Sequence, residues 1–281
     1  MKFIHENNFK TYIMKKLIYL FLTVLIVACS SEDNNENNNN DDNNEPNLLV
    51  SSINYTYYEN TDEEITELDT FTYDGNKIIE KILSYYSNGN LTFLYRYEYI
   101  YANNKISRVD QYDLDNNIRF QTNFTYDSQG RTVSIEECFQ PNNSVCDDIT
   151  TFNYFYNDDG SITVTGSSAG TVTYQLDDNG NIISRTSDDG FREIIYDNQK
   201  NPFQNITGVS NSFIRLSNAR LTSINNNPLS FVEEYDDEYQ GTGNWTYDYN
   251  DAGYPRNVVY SESNLGGGYQ VSETIVIEYF E

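Results

Sequence analysis

The chain has 281 residues, of which 43 are acidic and 17 basic, for a formal charge of −26. A field of that sign repels phosphate backbones and anionic head groups, which excludes nucleic acid as a partner. His5 is the one histidine, so the rest of the chain cannot hold a Ser-His-Asp triad, a His-ligated zinc or a Cys-His pair.

Residues 1–13 carry no recognisable feature. Met14-Lys15-Lys16 followed by the apolar run Leu17 to Val27 has the order of a secretory signal. An h-region of about 11 residues is too short to span a bilayer. A signal peptide is therefore predicted over 1–28, with the true start at Met14. The run ends Leu25-Ile26-Val27-Ala28-Cys29, which resembles a bacterial lipobox. That resemblance implies cleavage before Cys29 and lipidation of Cys29, giving membrane attachment through a lipid anchor. The mature chain would then carry 13 basic and 42 acidic residues, a formal charge of −29. Such a charge favours cations, neutral glycans or basic protein patches as partners, and it also serves plain solubility.

Residues 29–47 are rich in Asn, Asp and Glu. Too little apolar area is available there to offset ordering entropy, so a disordered tether is expected. Acidic residues directly after a lipobox Cys are similar to the surface-export signals of Bacteroidota lipoproteins. That resemblance implies an outer-membrane protein exposed on the cell surface.

From residue 48 to 281 short alternating runs follow one another with turn signals between them, and no period-3.6 helix of three turns appears. No change in composition marks a boundary, so one repetitive β domain is predicted. Phe124-Thr125-Tyr126-Asp127-Ser128-Gln129-Gly130-Arg131 is its clearest unit. Phe124 and Tyr126 share a strand face; Asp127 can accept from turn N–H groups and Gly130 can take a positive φ. Looser copies lie at Phe71–Asn76, Tyr154–Gly160, Tyr174–Asn181 and Trp245–Gly253, and copies without Gly at Tyr99–Lys105 and Ile195–Lys200. The Tyr-Asp-x-x-Gly hairpins resemble the YD repeats of RHS-type proteins and, with the lipobox, uncharacterised Bacteroidota surface lipoproteins built from such repeats. The resemblance implies an antiparallel meander of successive hairpins forming a long curved or wrapped sheet. RHS proteins shape it into a shell around a toxin; this chain is too short for that, which leaves a scaffold.

Within the domain, Tyr95, Tyr97, Tyr99 and Tyr101 fall on one strand face, either as an aromatic platform for stacking sugars or as packing residues with hydroxyls at the wet edge. Cys138 and Cys146 flank a polar loop, and in an oxidising envelope a disulfide across that hairpin is expected. Residues 202–228 depart from the repeat, with a turn or short helix expected around Phe213 to Leu216. Asp177–Asn181 and Asp248–Gly253 carry oxygen ligands around a Gly but lack the EF-hand spacing, and turn chemistry accounts for them. No P-loop or Rossmann fingerprint is present. The chain is therefore read as a non-enzyme without cofactor or metal: a lipid-anchored cell-surface binding or structural scaffold. The alternatives are a periplasm-facing envelope assembly partner, a glycan-binding protein and, last, a carboxylate-based hydrolase, which would need two carboxyl groups about 5–9 Å apart in one cleft.

Overall fold

In the computed structural model the described residues are 47–57, 64–139, 146, 148–166, 170–209, 225–235, 239–264 and 270–280. Residues Glu45–Glu281 form one compact unit. The predicted signal peptide, Cys29 and the tether up to residue 46 lie outside the described residues, as does the segment Phe213 to Leu216.

Among the described residues sixteen strands follow in chain order. They are β1 Val50–Tyr57, β2 Ile65–Asp74, β3 Lys77–Ser87, β4 Asn90–Ala102, β5 Lys105–Tyr112 and β6 Ile118–Tyr126. Next come β7 Thr132–Phe139, β8 Asp148–Tyr156, β9 Ile162–Gly166, β10 Gly170–Leu176 and β11 Ile182–Ser187. The last are β12 Gly190–Tyr196, β13 Pro228–Tyr235, β14 Tyr239–Tyr249, β15 Pro255–Asn264 and β16 Gln270–Tyr279. Each pairs antiparallel with its chain neighbours, as an all-β meander requires, but the sheet does not stay open as a curved or wrapped surface. β1 pairs with β16, Ile53 opposite Ile277 and Tyr55 opposite Ile275, and the sheet closes into a barrel. Closure is favoured because it pairs two edges that would otherwise present unsatisfied N–H and C=O groups.

Alternation then sorts side chains to the two sides of the wall. Ile53, Tyr55 and Tyr57 are buried, as are Ile275 and Ile277, Val258 and Tyr260, and Phe231 and Trp245, all on the inner face. They form one apolar core with Phe71, Ile78 and Tyr99. Ile135, Phe152, Ile162 and Val164 form a second core on β7, β8 and β9.

The repeat unit has a defined geometry. In four turns, after β6, β8, β10 and β14, the first residue's N–H donates to the carbonyl four residues on, and the Gly N–H donates back to that first residue. Asp127 Oδ1 also accepts from the N–H groups of Gln129 and Arg131, and Asp177 Oδ1 and Asn250 Oδ1 accept at the same two offsets. The glycine closing each turn sits at φ 81–84° (Gly130, Gly160, Gly180, Gly253), a conformation that costs other residues. In the copy without Gly between β4 and β5, Asn103 and Asn104 take φ 52° and 60°, as a two-residue hairpin loop demands.

The repeat tyrosine joins neighbouring strands at this end of the barrel. Tyr126 donates its hydroxyl to Ile106 O (2.7 Å), Tyr156 to Thr132 O (3.0 Å) and Tyr196 to Ile182 O (2.9 Å). Tyr247 donates to Pro228 O (2.7 Å), and Tyr279, outside the repeat copies, makes the same bond to Pro255 O (2.8 Å). Each reaches from the end of one strand to the start of the strand before it.

At the opposite end of the barrel Cys138 and Cys146 are joined, with Cα atoms 5.4 Å apart. A cross-link closing so short a loop stabilises by at most about 2–3 kcal/mol. Dithiothreitol is therefore expected to lower the urea midpoint modestly while leaving the far-ultraviolet circular dichroism of the native barrel intact. An unchanged midpoint would rule out a stabilising role for the bond.

Candidate functional site: the barrel interior and its plugged end

Between β12 and β13 the chain leaves the repeat and turns into the barrel mouth. Asn201 Oδ1 accepts from Phe203 N–H (2.9 Å), and Asn227 donates back to Asp197 and to Lys200 O, which ties the two ends of the excursion together. Phe203 and Ile206 are 6% and 5% exposed and join the main core, Phe203 meeting Phe71 edge-on at 6.1 Å. The segment is bonded around the rim: Thr207 N–H to Asn76 O (2.8 Å), Tyr101 hydroxyl to Thr207 O (3.1 Å), and Asn205 to both Leu48 O and the Tyr254 hydroxyl. Residues 201–208 thus plug the mouth ringed by the repeat turns, and the chain enters the barrel at that same mouth.

The interior carries charge as well as rings. Lys81 meets Asp69 at 3.3 Å, both nearly buried, and its ammonium lies over the Tyr97 ring at 4.6 Å. Burial raises the Asp69 carboxyl above its ordinary value, and Lys81 opposes that rise. Arg192 grips Glu233 with Nε at 2.7 Å and Nη2 at 2.5 Å while stacking on Phe231 at 4.4 Å. Tyr260 donates to Glu262 at 2.5 Å, and Glu273, 1% exposed, lies opposite Tyr260. Gly243 is required beside them, because a Cβ there would stand 1.9 Å from the Phe231 ring. The Trp245 indole N–H is buried with no hydrogen-bond partner among the described residues. Nor among those residues do three His, Cys, Asp or Glu side chains converge as metal ligands.

Tyr95, Tyr97, Tyr99 and Tyr101 do share one face, and it is the inner one. Tyr99 is 6% exposed, Tyr97 lies under Lys81, Tyr101 holds the plug, and Tyr95 packs against Phe93 at 5.3 Å. Burial pushes the hydroxyls of Tyr97, Tyr99 and Tyr101 above their ordinary range. A ligand for this stripe would have to enter the barrel.

The outer wall is mixed, with polar side chains set among exposed Phe155, Ile195, Val232, Val259 and Val276. β1 presents Ser52, Asn54 and Thr56 outward, β14 presents Asn244, Thr246 and Asp248, and β10 presents Thr171, Thr173 and Gln175. Elsewhere on that wall Arg108 pairs with Asp110 at 3.0 Å, and Arg96 stacks on Tyr112 while pairing with Glu98. At the plugged mouth the wall also carries a groove of about 400 Å³ where β15 begins and β16 ends beside Leu48. Sequence reading missed the groove and the inner ion pairs.

The sequence matches no family model and no curated protein. Among solved structures the chain is similar to a porin-like protein from Bacteroides uniformis, at 11% identity and a TM-score of 0.44 over 82% of this chain and 96% of that one. It is also similar to a porin-like protein from Bacteroides vulgatus, at 13% identity and a TM-score of 0.28 over 83% and 99% of the two chains. At scores this low neither likeness carries an argument about function.

Proposed function

We propose that the chain is a lipid-anchored, non-catalytic binding or structural scaffold displayed from the outer membrane, with its barrel standing in water. The polar outward rows of β1 and β14 support this reading. A strand facing lipid needs apolar residues at successive outward positions over a band about 25 Å tall. Here Ser52, Asn54, Thr56, Asn244, Thr246 and Asp248 occupy such positions, while aromatic and aliphatic residues fill the inside. Phe155, Ile195, Val232, Val259 and Val276 are exposed on the same wall, but β1 and β14 carry no outward apolar row of the kind a lipid-facing strand needs, and membrane attachment is assigned to Cys29. The Tyr-Asp-x-x-Gly hairpins, similar to YD repeats, are the building unit of the scaffold.

Cys29→Ala is expected to move the chain from the membrane pellet to the soluble fraction without changing its melting temperature. Retention of that variant in the pellet after an alkaline carbonate wash would overturn the anchoring. Proteinase K on intact cells then reports the leaflet: loss of the barrel while a periplasmic control survives supports surface display. Protection until lysis supports the periplasm-facing alternative.

A further inference from the structure

We propose that the groove on the outer wall at the plugged mouth binds a saccharide. It offers about 400 Å³ of open volume, within the range of small-ligand sites. Phe280 stands in it with 49% of its surface exposed. Its ring meets Tyr73 perpendicular at 5.9 Å. In that arrangement at least one face of the Phe280 ring stays clear of Tyr73, whichever ring presents its edge.

Around this ring the groove sets Asn250, Arg256, Asn257 and Glu278. Arg256 and Asn257 are exposed, and Glu278 accepts from the Ser52 hydroxyl at 3.0 Å. The Asn250 Oδ1 is committed to its turn, which leaves the amide NH₂ as a donor. The groove thus holds a guanidinium and amides that donate, a carboxylate and an amide oxygen that accept, and a ring face between them. An anion would meet Glu278 and the negative field of the whole chain, and a purely apolar ligand would strand four polar side chains. A sugar satisfies both halves: its hydroxyls donate and accept, its C–H face lies on an aromatic ring, and it brings no charge into that field.

The test is saturation-transfer NMR on the purified chain with cellobiose, maltose, N,N′-diacetylchitobiose and mannobiose. At least one sugar is expected to receive transfer, with Phe280→Ala weakening binding about tenfold or more, as loss of an aromatic anchor does. Asn257→Ala should weaken it several-fold, since that exposed amide has no hydrogen-bond partner among the described residues. Phe280→Tyr should keep binding, and Tyr95→Leu, in the interior stripe, should leave it unchanged. Melting temperature is measured on every variant, and Asn257→Ala, on an exposed site, keeps the test decisive should Phe280→Ala unfold. No transfer to any of the four sugars, or wild-type binding by folded Phe280→Ala and Asn257→Ala, overturns the assignment. Because binding is read in solution, it stands or falls independently of anchoring at Cys29.

Discussion

Raising the pH above about 10 is expected to unfold the barrel within roughly one pH unit, because unfolded tyrosines ionise near that value and the buried ones resist. Tyr73, Tyr97, Tyr99, Tyr196, Tyr247 and Tyr279 all have hydroxyls whose pKa is raised, with burial the largest cause in each. A raised pKa in the fold means that the native state keeps a proton which the unfolded chain gives up. Stability from these groups is therefore complete below the unfolded pKa and falls as pH rises past it. Each such group takes away about 1.4 kcal/mol per pH unit. Six together remove about 8 kcal/mol per unit, similar to the whole stability of an ordinary domain. Tyr196, Tyr247 and Tyr279 also donate to carbonyls of the preceding strand, so ionisation turns three attractive contacts into repulsive ones. Absorbance at 295 nm and far-ultraviolet circular dichroism followed together would check this. Tyrosinate from the interior should appear in step with loss of the β signal. Smooth ionisation of all 26 tyrosines with the β signal intact would show that these rings are not held as described.

The turn chemistry was legible in the sequence because it is local. Asp127 and Gly130 are three residues apart, and their partners lie within the same five-residue loop. The role of the repeat tyrosine was not, since its acceptor lies one strand back at a variable distance: 20 residues for Tyr126, 14 for Tyr196 and 24 for Tyr156. A contact of constant geometry thus leaves no fixed period in the chain. Closure was hidden for a similar reason, as Ser52 and Glu278 lie 226 residues apart and nothing local to either foretells their pairing. The inner ion pairs were obscured by composition. In Gly190–Tyr196 the two faces read Arg192 and Ile194 against Phe191, Glu193 and Ile195, a near tie in hydrophobicity. Register settles it: Arg192 opposes Glu233 and Ile194 opposes Phe231 inside, while Ile195 and Val232 end 63% and 49% exposed. The groove was invisible because it joins Asn250 and Arg256, around the β14–β15 turn, to Phe280 at the end of β16 and to Leu48, which only the pairing of β1 with β16 brings there.

Arg192→Ala is the single substitution expected to cost most among the inner charges. Although burial works against its charge, the hydrogen bond and charge of Glu233 hold the Arg192 guanidinium above its ordinary pKa. Both donor groups converge on one Glu233 oxygen, and the Glu233 side chain is 4% exposed. Removing the arginine leaves that carboxylate buried with its main compensation gone, and breaking such a pair costs about 3–5 kcal/mol. The Arg192 side chain is itself 30% exposed, so water can enter the vacated space and the loss should fall near the lower end, about 3 kcal/mol. The stacking of Arg192 on Phe231 disappears in the same step. Chemical denaturation of three proteins separates the stranded charge from lost packing. If charge dominates, Arg192→Ala with Glu233→Gln should be more stable than Arg192→Ala alone, because an amide costs far less to bury than an unpaired carboxylate. Lost packing would instead make the second substitution neutral or harmful in that background. A double variant no more stable than Arg192→Ala would therefore mean that Arg192 serves the barrel as a stacked side chain, with its charge incidental to the fold.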